Sequence, residues 1–206
     1  MVAPLVFVIG FSVEGFFRHG YNAIAMHISA LSLGDRGWIQ ICNFLLLGIL
    51  LGIFALHLLA EYQSNKKSKA GPIILLVSAV CFLLSGPFVM DPMGTARENM
   101  TLHGLIHGIL GGVVFVLMPI TSFVFRRSMR NVKGMEGFAR YSFIMGCIIA
   151  AALVVFSMSS KIPNLQVLFL PYQGLLQRAV IVPYMVWLFT FAWKNLRLRR
   201  AITRQG

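Results

Sequence analysis

TLHGLIHGILGGVVFVLMPITSFVF, residues 101–125, is the stretch on which the fold turns. It is an apolar run long enough to cross a bilayer, which takes about 20 helical residues. Yet it carries His103 and His107, and histidine facing lipid is costly. Spaced four apart, the two imidazoles share one helix face. Gly104, Gly108 and Gly112 recur at the same spacing, about 100° round the helix, which predicts a smooth edge for close packing by another helix. The stretch reads as a membrane helix with a packing edge beside a polar edge, and the polar edge marks a site.

Composition supports the membrane reading. Of 206 residues, 58% are hydrophobic and 12% charged, and the mean hydropathy is +0.80, more apolar than a soluble core of this size requires. Apolar windows of spanning length occur at 2–17, 38–60, 72–90, 102–125, 138–160 and 173–194. The expectation is an all-α, integral membrane six-helix bundle, one domain over 1–206. The first window holds Pro4 and Glu14 but has no positive leading region and no small-x-small cleavage pattern, so it reads as a retained helix and not a signal peptide.

Basic residues flanking membrane helices stay on the cytoplasmic side. Lys66, Lys67 and Lys69 follow helix two. Arg126, Arg127, Arg130, Lys133 and Arg140 follow helix four, and Lys194, Arg197, Arg199, Arg200 and Arg204 follow helix six. The opposite loops hold only Arg18, Arg36, Arg97 and Lys161, so both termini are expected in the cytoplasm of a cell-membrane protein. The +12 balance reflects topology and contact with anionic membrane lipids, not nucleic acid, because short clusters at helix ends present no folded binding face. Cys42, Cys81 and Cys147 fall in apolar helices without CxxC spacing and read as small buried hydrophobes.

Polar residues gather toward the outer side. Glu14 ends helix one. The outer loop that follows contains NAIAMHISALSL, residues 22–33, where Ile24, Ile28 and Leu31 share a face and predict a short helix on or dipping into the outer leaflet, with His27 and Ser32 opposite. Trp38 opens helix two at interfacial depth, and Gly48 and Gly52 form a close-packing pair within it. Asp91 closes the third span, ten residues before the TLHGLIHG helix, and Asn99-Met100-Thr101, which has the form of a glycosylation acceptor, reads as the N-terminal cap of that helix. Helix five reads as packing only. Helix six brings Gln177 and Arg178 below its outer end, where a guanidinium must snorkel, pair or line water. A carboxylate, Asp91 or Glu14, is the expected partner.

GYNAIAMHISALSLGDRGWIQICNFLLLGILLG, DPMG followed by TLHGLIHG, and PYQGLLQR together resemble, in order and over nearly the whole chain, the prokaryotic six-helix membrane proteins grouped as domain of unknown function 998. The resemblance implies the six-helix fold and the polar positions, and no activity.

Two function classes suit these residues. In the first, the outer half of the bundle binds a small anionic or lipid ligand through Arg178, Gln177, Glu14 and Trp38, with histidines that titrate near neutral pH. Six helices without an inverted repeat suit a carrier or sensor, with a homodimer as the candidate assembly. In the second, His103 and His107 hold zinc with Asp91 or His27, leaving an open position for water and hydrolysis of a lipid amide or ester. That site is similar in kind to those of the alkaline ceramidase and adiponectin-receptor superfamily, which have seven helices and other motif positions.

Overall fold

The computed structural model describes residues 2–65, 67–132 and 134–203. Lys66, Lys133 and Arg204 of the basic clusters lie outside the described residues, as do the side chains of Arg199 and Arg200. Among the described residues every regular element is helical. They are α1 (Ala3–Phe17), α2 (Gly37–Ser64), α3 (Ala70–Leu84), α4 (Leu102–Met129), α5 (Glu136–Lys161), α6 (Pro163–Phe169) and α7 (Gln173–Thr203). Six of them answer the six apolar windows. The short α6 was not expected; Pro163 stands in its first turn, where a missing N–H costs nothing.

Consecutive long helices are neighbours, joined by short turns after α2 and α4 and by longer loops after α1, α3 and α5. Thus α1 packs on α2, α2 on α3, α3 on α4, α4 on α5 and α5 on α7, and α7 closes the ring on α1. Loops 18–36, 85–101 and 162–172 meet at one end, here the loop end, and the basic clusters mark the other.

Four stretches are long and apolar enough to cross a membrane: α2, α4, α5 and the run Pro163–Leu198. The protein is therefore a membrane protein. By contrast α1 and α3 have 15 residues each, about 22 Å of helix against a hydrocarbon core of about 30 Å. The third window was expected to reach residue 90 but its helix stops at Leu84, because Pro87 lacks a donor and disfavours helical geometry at the residue before it.

The ring is apolar outside as well as inside. Ile9, Ile53, Ile109 and Val154 are each more than half exposed on outward faces, which suits lipid and would be an aggregation hazard in water. Inside, Trp187 stacks on Phe191 at 5.4 Å and 12° and donates its indole N–H to Ser142 Oγ at 3.0 Å, so the buried ring keeps its polar atom satisfied. Gly48 lies against the backbone of Leu83 with no room for a side chain, so the expected close approach of α2 and α3 is real there; Gly52 makes only ordinary contact. Of the cysteines only Cys81 is buried. Cys42 and Cys147 are exposed on helix faces, a correction to the expectation for all three.

The expected helix over 22–33 is also corrected. Only Ile28–Ser32 is helical, as a single tight 3-10 turn. Asn22 Oδ1 accepts from the N–H groups of Ile24 and Ala25 at 2.9 and 3.3 Å, a local bond that competes with helix formation. The segment packs among α1, α2 and α7, not on lipid, with Ile28 and Leu31 fully buried.

Candidate functional site

The start of α7 locks onto this inserted loop. Gly174 presses against the backbone carbonyls of Ala23 and Met26, where a Cβ would collide with both. Leu175 N–H donates to Ile24 O at 2.8 Å, and Gln177 Oε1 accepts from Ile28 N–H at 2.7 Å. Arg178 donates to Ala23 O at 2.7 Å, Met26 O at 3.1 Å and Gly174 O at 3.0 Å, and to the Tyr21 hydroxyl. Tyr21 in turn donates to His27 O at 3.1 Å.

Arg178 is thus not paired with a carboxylate as the sequence suggested. A turned loop inside the bundle leaves carbonyls that no helix or strand can satisfy, and a guanidinium offers five donors to meet them. Glu14 is occupied elsewhere, 4% exposed between Arg18 Nε at 2.8 Å and Arg36 at 2.6 Å. Trp38 is 63% exposed on the outer face of the bundle.

Asp91 closes the loop ahead of α4. Its carboxylate accepts from Thr101 N–H at 2.9 Å and Thr101 Oγ at 2.8 Å, while Thr101 Oγ caps the helix by accepting from Gly104 N–H at 3.0 Å, as the sequence predicted. The two α4 histidines do share a face, and each meets a carbonyl of the segment after α3. His107 Nδ1 lies 2.7 Å from Phe88 O and His103 Nδ1 3.3 Å from Pro87 O.

Beside this cap, between α4 and α5, is a cavity of about 470 Å³. His27 and Ser29 from the inserted loop, Asp91, and Gln177 from α7 bound its loop end; His107 and the glycines 104, 108, 111 and 112 form the α4 wall, and Leu153, Phe156, Ser157, Ser160 and Lys161 the α5 wall. The expected packing edge is thereby corrected. Gly104 does abut Asp91, but a Cβ built on Gly108, Gly111 or Gly112 meets nothing, so those glycines make space instead of a helix contact.

His27, Asp91, His107 and Gln177 line one cavity. His103, Glu14, Arg178 and Trp38 do not line it. Sequence reading passed over the α5 contribution, although Ser157, Ser159, Ser160 and Lys161 at the end of an apolar helix were a visible signal. Among the described residues no three His, Cys, Asp or Glu side chains are grouped to hold a metal ion.

His27 is the most distinctive group in the wall. Its ring packs edge-on to Phe156 at 5.7 Å, and its buried Nε2 has no hydrogen-bond partner among the described residues. Burial, then the positive charge of Arg178, push its pKa below the ordinary histidine value. A histidine with a depressed folded pKa favours the folded state fully above about pH 6.5, and that contribution declines as pH falls toward the lowered value. Unfolding followed from pH 8 to pH 5 should show a loss below about 6.5 that His27→Gln reduces; an identical profile in the variant would exclude His27 as its source.

Residues 1–194 match the family model described as Protein of unknown function (DUF998). No curated protein matches the chain, and no solved structure does.

Proposed function

Because the chain belongs to the DUF998 family, described as of unknown function, we propose its activity from its own geometry: the cavity between α4 and α5 binds a small anionic or lipid ligand, and the protein serves as a carrier or sensor. The observation that carries this reading is the cavity wall built from unfilled glycines. Glycine inside a helix costs roughly 0.5–1 kcal/mol relative to alanine, so three glycines facing open space oppose stability and are explained by the room they leave. A volume of about 470 Å³ lies within the range of ligand sites, about 300–1,000 Å³. Lys161 supplies a cation at the rim, and His27, Ser160 and Gln177 add polar side chains to the wall.

The test is native mass spectrometry of protein released from its own membrane. Wild type should retain a bound anionic or lipid molecule in stoichiometric amount. Gly112→Leu should lose it without losing thermal stability, since the added side chain enters open space. Equal retention by both would contradict the reading.

The surrounding architecture is a six-helix bundle in the cell membrane, with α1 and α3 completing the ring as short spans, the loop end outside, both termini cytoplasmic, and a homodimer as the candidate assembly. The bias of basic residues toward one end supports this orientation. A reporter fused at the C-terminus should read cytoplasmic and one inserted beside Lys161 external; finding both on one side would refute it.

A further inference from the structure

We infer that the ligand of this cavity is an anionic amphiphile that enters sideways between α4 and α5, its head against Lys161 and Ser160 and an acyl chain along Gly108, Gly112 and Leu153. This rests on the binding reading above and narrows its ligand. The lining is divided along its length. Its loop end carries His27, Asp91, Ser160, Lys161 and Gln177, whereas farther along α4 and α5 it is Gly111, Gly112, Phe115, Val116 and Leu153.

From Gly104 to Val116 is about 18 Å of helix, and from Lys161 back to Leu153 about 12 Å, so the cavity is a slot and not a sphere. Its roughly 470 Å³ runs along about 15 Å of helix, room for an acyl chain lying parallel to the helices. A free inorganic anion would fill only the polar end. Gly108, Gly112 and Val116 line the slot and are also exposed, which opens it through the side of the bundle where lipid would lie.

The charges set the sign of the head group. Asp91 has both carboxylate oxygens engaged by Thr101. The Lys161 side chain makes no hydrogen bond or ion pair among the described residues. Asp91 keeps its charge but is turned toward Thr101, so the group left to meet a head at this end is the Lys161 ammonium, which suits an anionic one.

The experiment measures binding by the full-length protein in nanodiscs of phosphatidylcholine, using lauroyl lysophosphatidate, dilauroyl phosphatidate and inorganic phosphate as probes. Each of the two lipids should bind at least tenfold more tightly than inorganic phosphate. Gly112→Leu should weaken their binding at least tenfold with the melting temperature unchanged, and Lys161→Gln should weaken it as well. Phosphate binding as tightly as the lipids, sensitive to Lys161→Gln but not to Gly112→Leu, would overturn the amphiphile while leaving an anion-binding cavity. Failure of all three probes to bind would overturn both this inference and the reading beneath it.

Discussion

Gly174→Ala should destabilise the protein by about 3 kcal/mol, near the upper end of what overpacking usually costs, whereas Gly112→Ala should stabilise it by up to about 1 kcal/mol. Both changes add one methyl group to a helix in this membrane protein. At Gly174 that methyl would collide with the carbonyls of Ala23 and Met26. Those atoms are backbone, so they yield only if the loop moves, and moving it strains the bonds from Leu175, Gln177 and Arg178 that hold it. At Gly112 the methyl meets nothing, and what remains is the gain in helix propensity. Reversible unfolding in mixed micelles would measure both variants. Similar effects at the two positions would mean that α7 and the inserted loop are not packed as described.

Arg178→Leu should cost about as much, roughly 3 kcal/mol or more, because hydrogen bonds to a charged group contribute about 1.5–3 kcal/mol each and abandoned buried carbonyls add a desolvation penalty. Ala23 O, Gly174 O and the Tyr21 hydroxyl lose the guanidinium at once, and Met26 O keeps only the Tyr21 hydroxyl at 3.3 Å. Arg178→Lys should recover only part of the loss, since an ammonium cannot reproduce a planar fork of donors. Arg197→Leu is the control. That guanidinium lies 4.8 Å from the Trp193 ring centroid, a contact of about 0.5–1 kcal/mol at exposed sites. Equal losses for Arg178→Leu and Arg197→Leu would show that Arg178 only snorkels to head groups and organises nothing. Because Arg178 fixes the loop that carries His27, its loss should also weaken ligand binding, as a positioning effect.

The helical ring was legible in sequence because lipid and a packed core both demand apolar residues, and each apolar window returned a helix. Helix ends were less so: α3 stops early at a proline whose effect hydropathy does not register. The site was half legible. His27, Asp91, His107 and Gln177 were visible as polar residues in apolar surroundings, and they line one cavity. Arg178 was equally visible, but its partners are backbone carbonyls, which leave no mark in a sequence. The glycines were misassigned for a related reason. Glycine spacing shows that a helix face is bare but not whether another helix fills it, and only the separation of α4 from α5 shows that it stays open. Helix five went unnoticed because its serines can be satisfied by their own helix carbonyls, as Ser160 is by Phe156 at 2.8 Å, so they look like packing until they line a cavity.

The most direct measurement of the central claim is a density map of the wild-type protein in native lipid. It should show elongated density between α4 and α5, running past Gly108 and Gly112 toward Lys161, and no such density in Gly112→Leu. A map in which α5 closes onto Gly108 and Gly112 in van der Waals contact, leaving no slot, would contradict it.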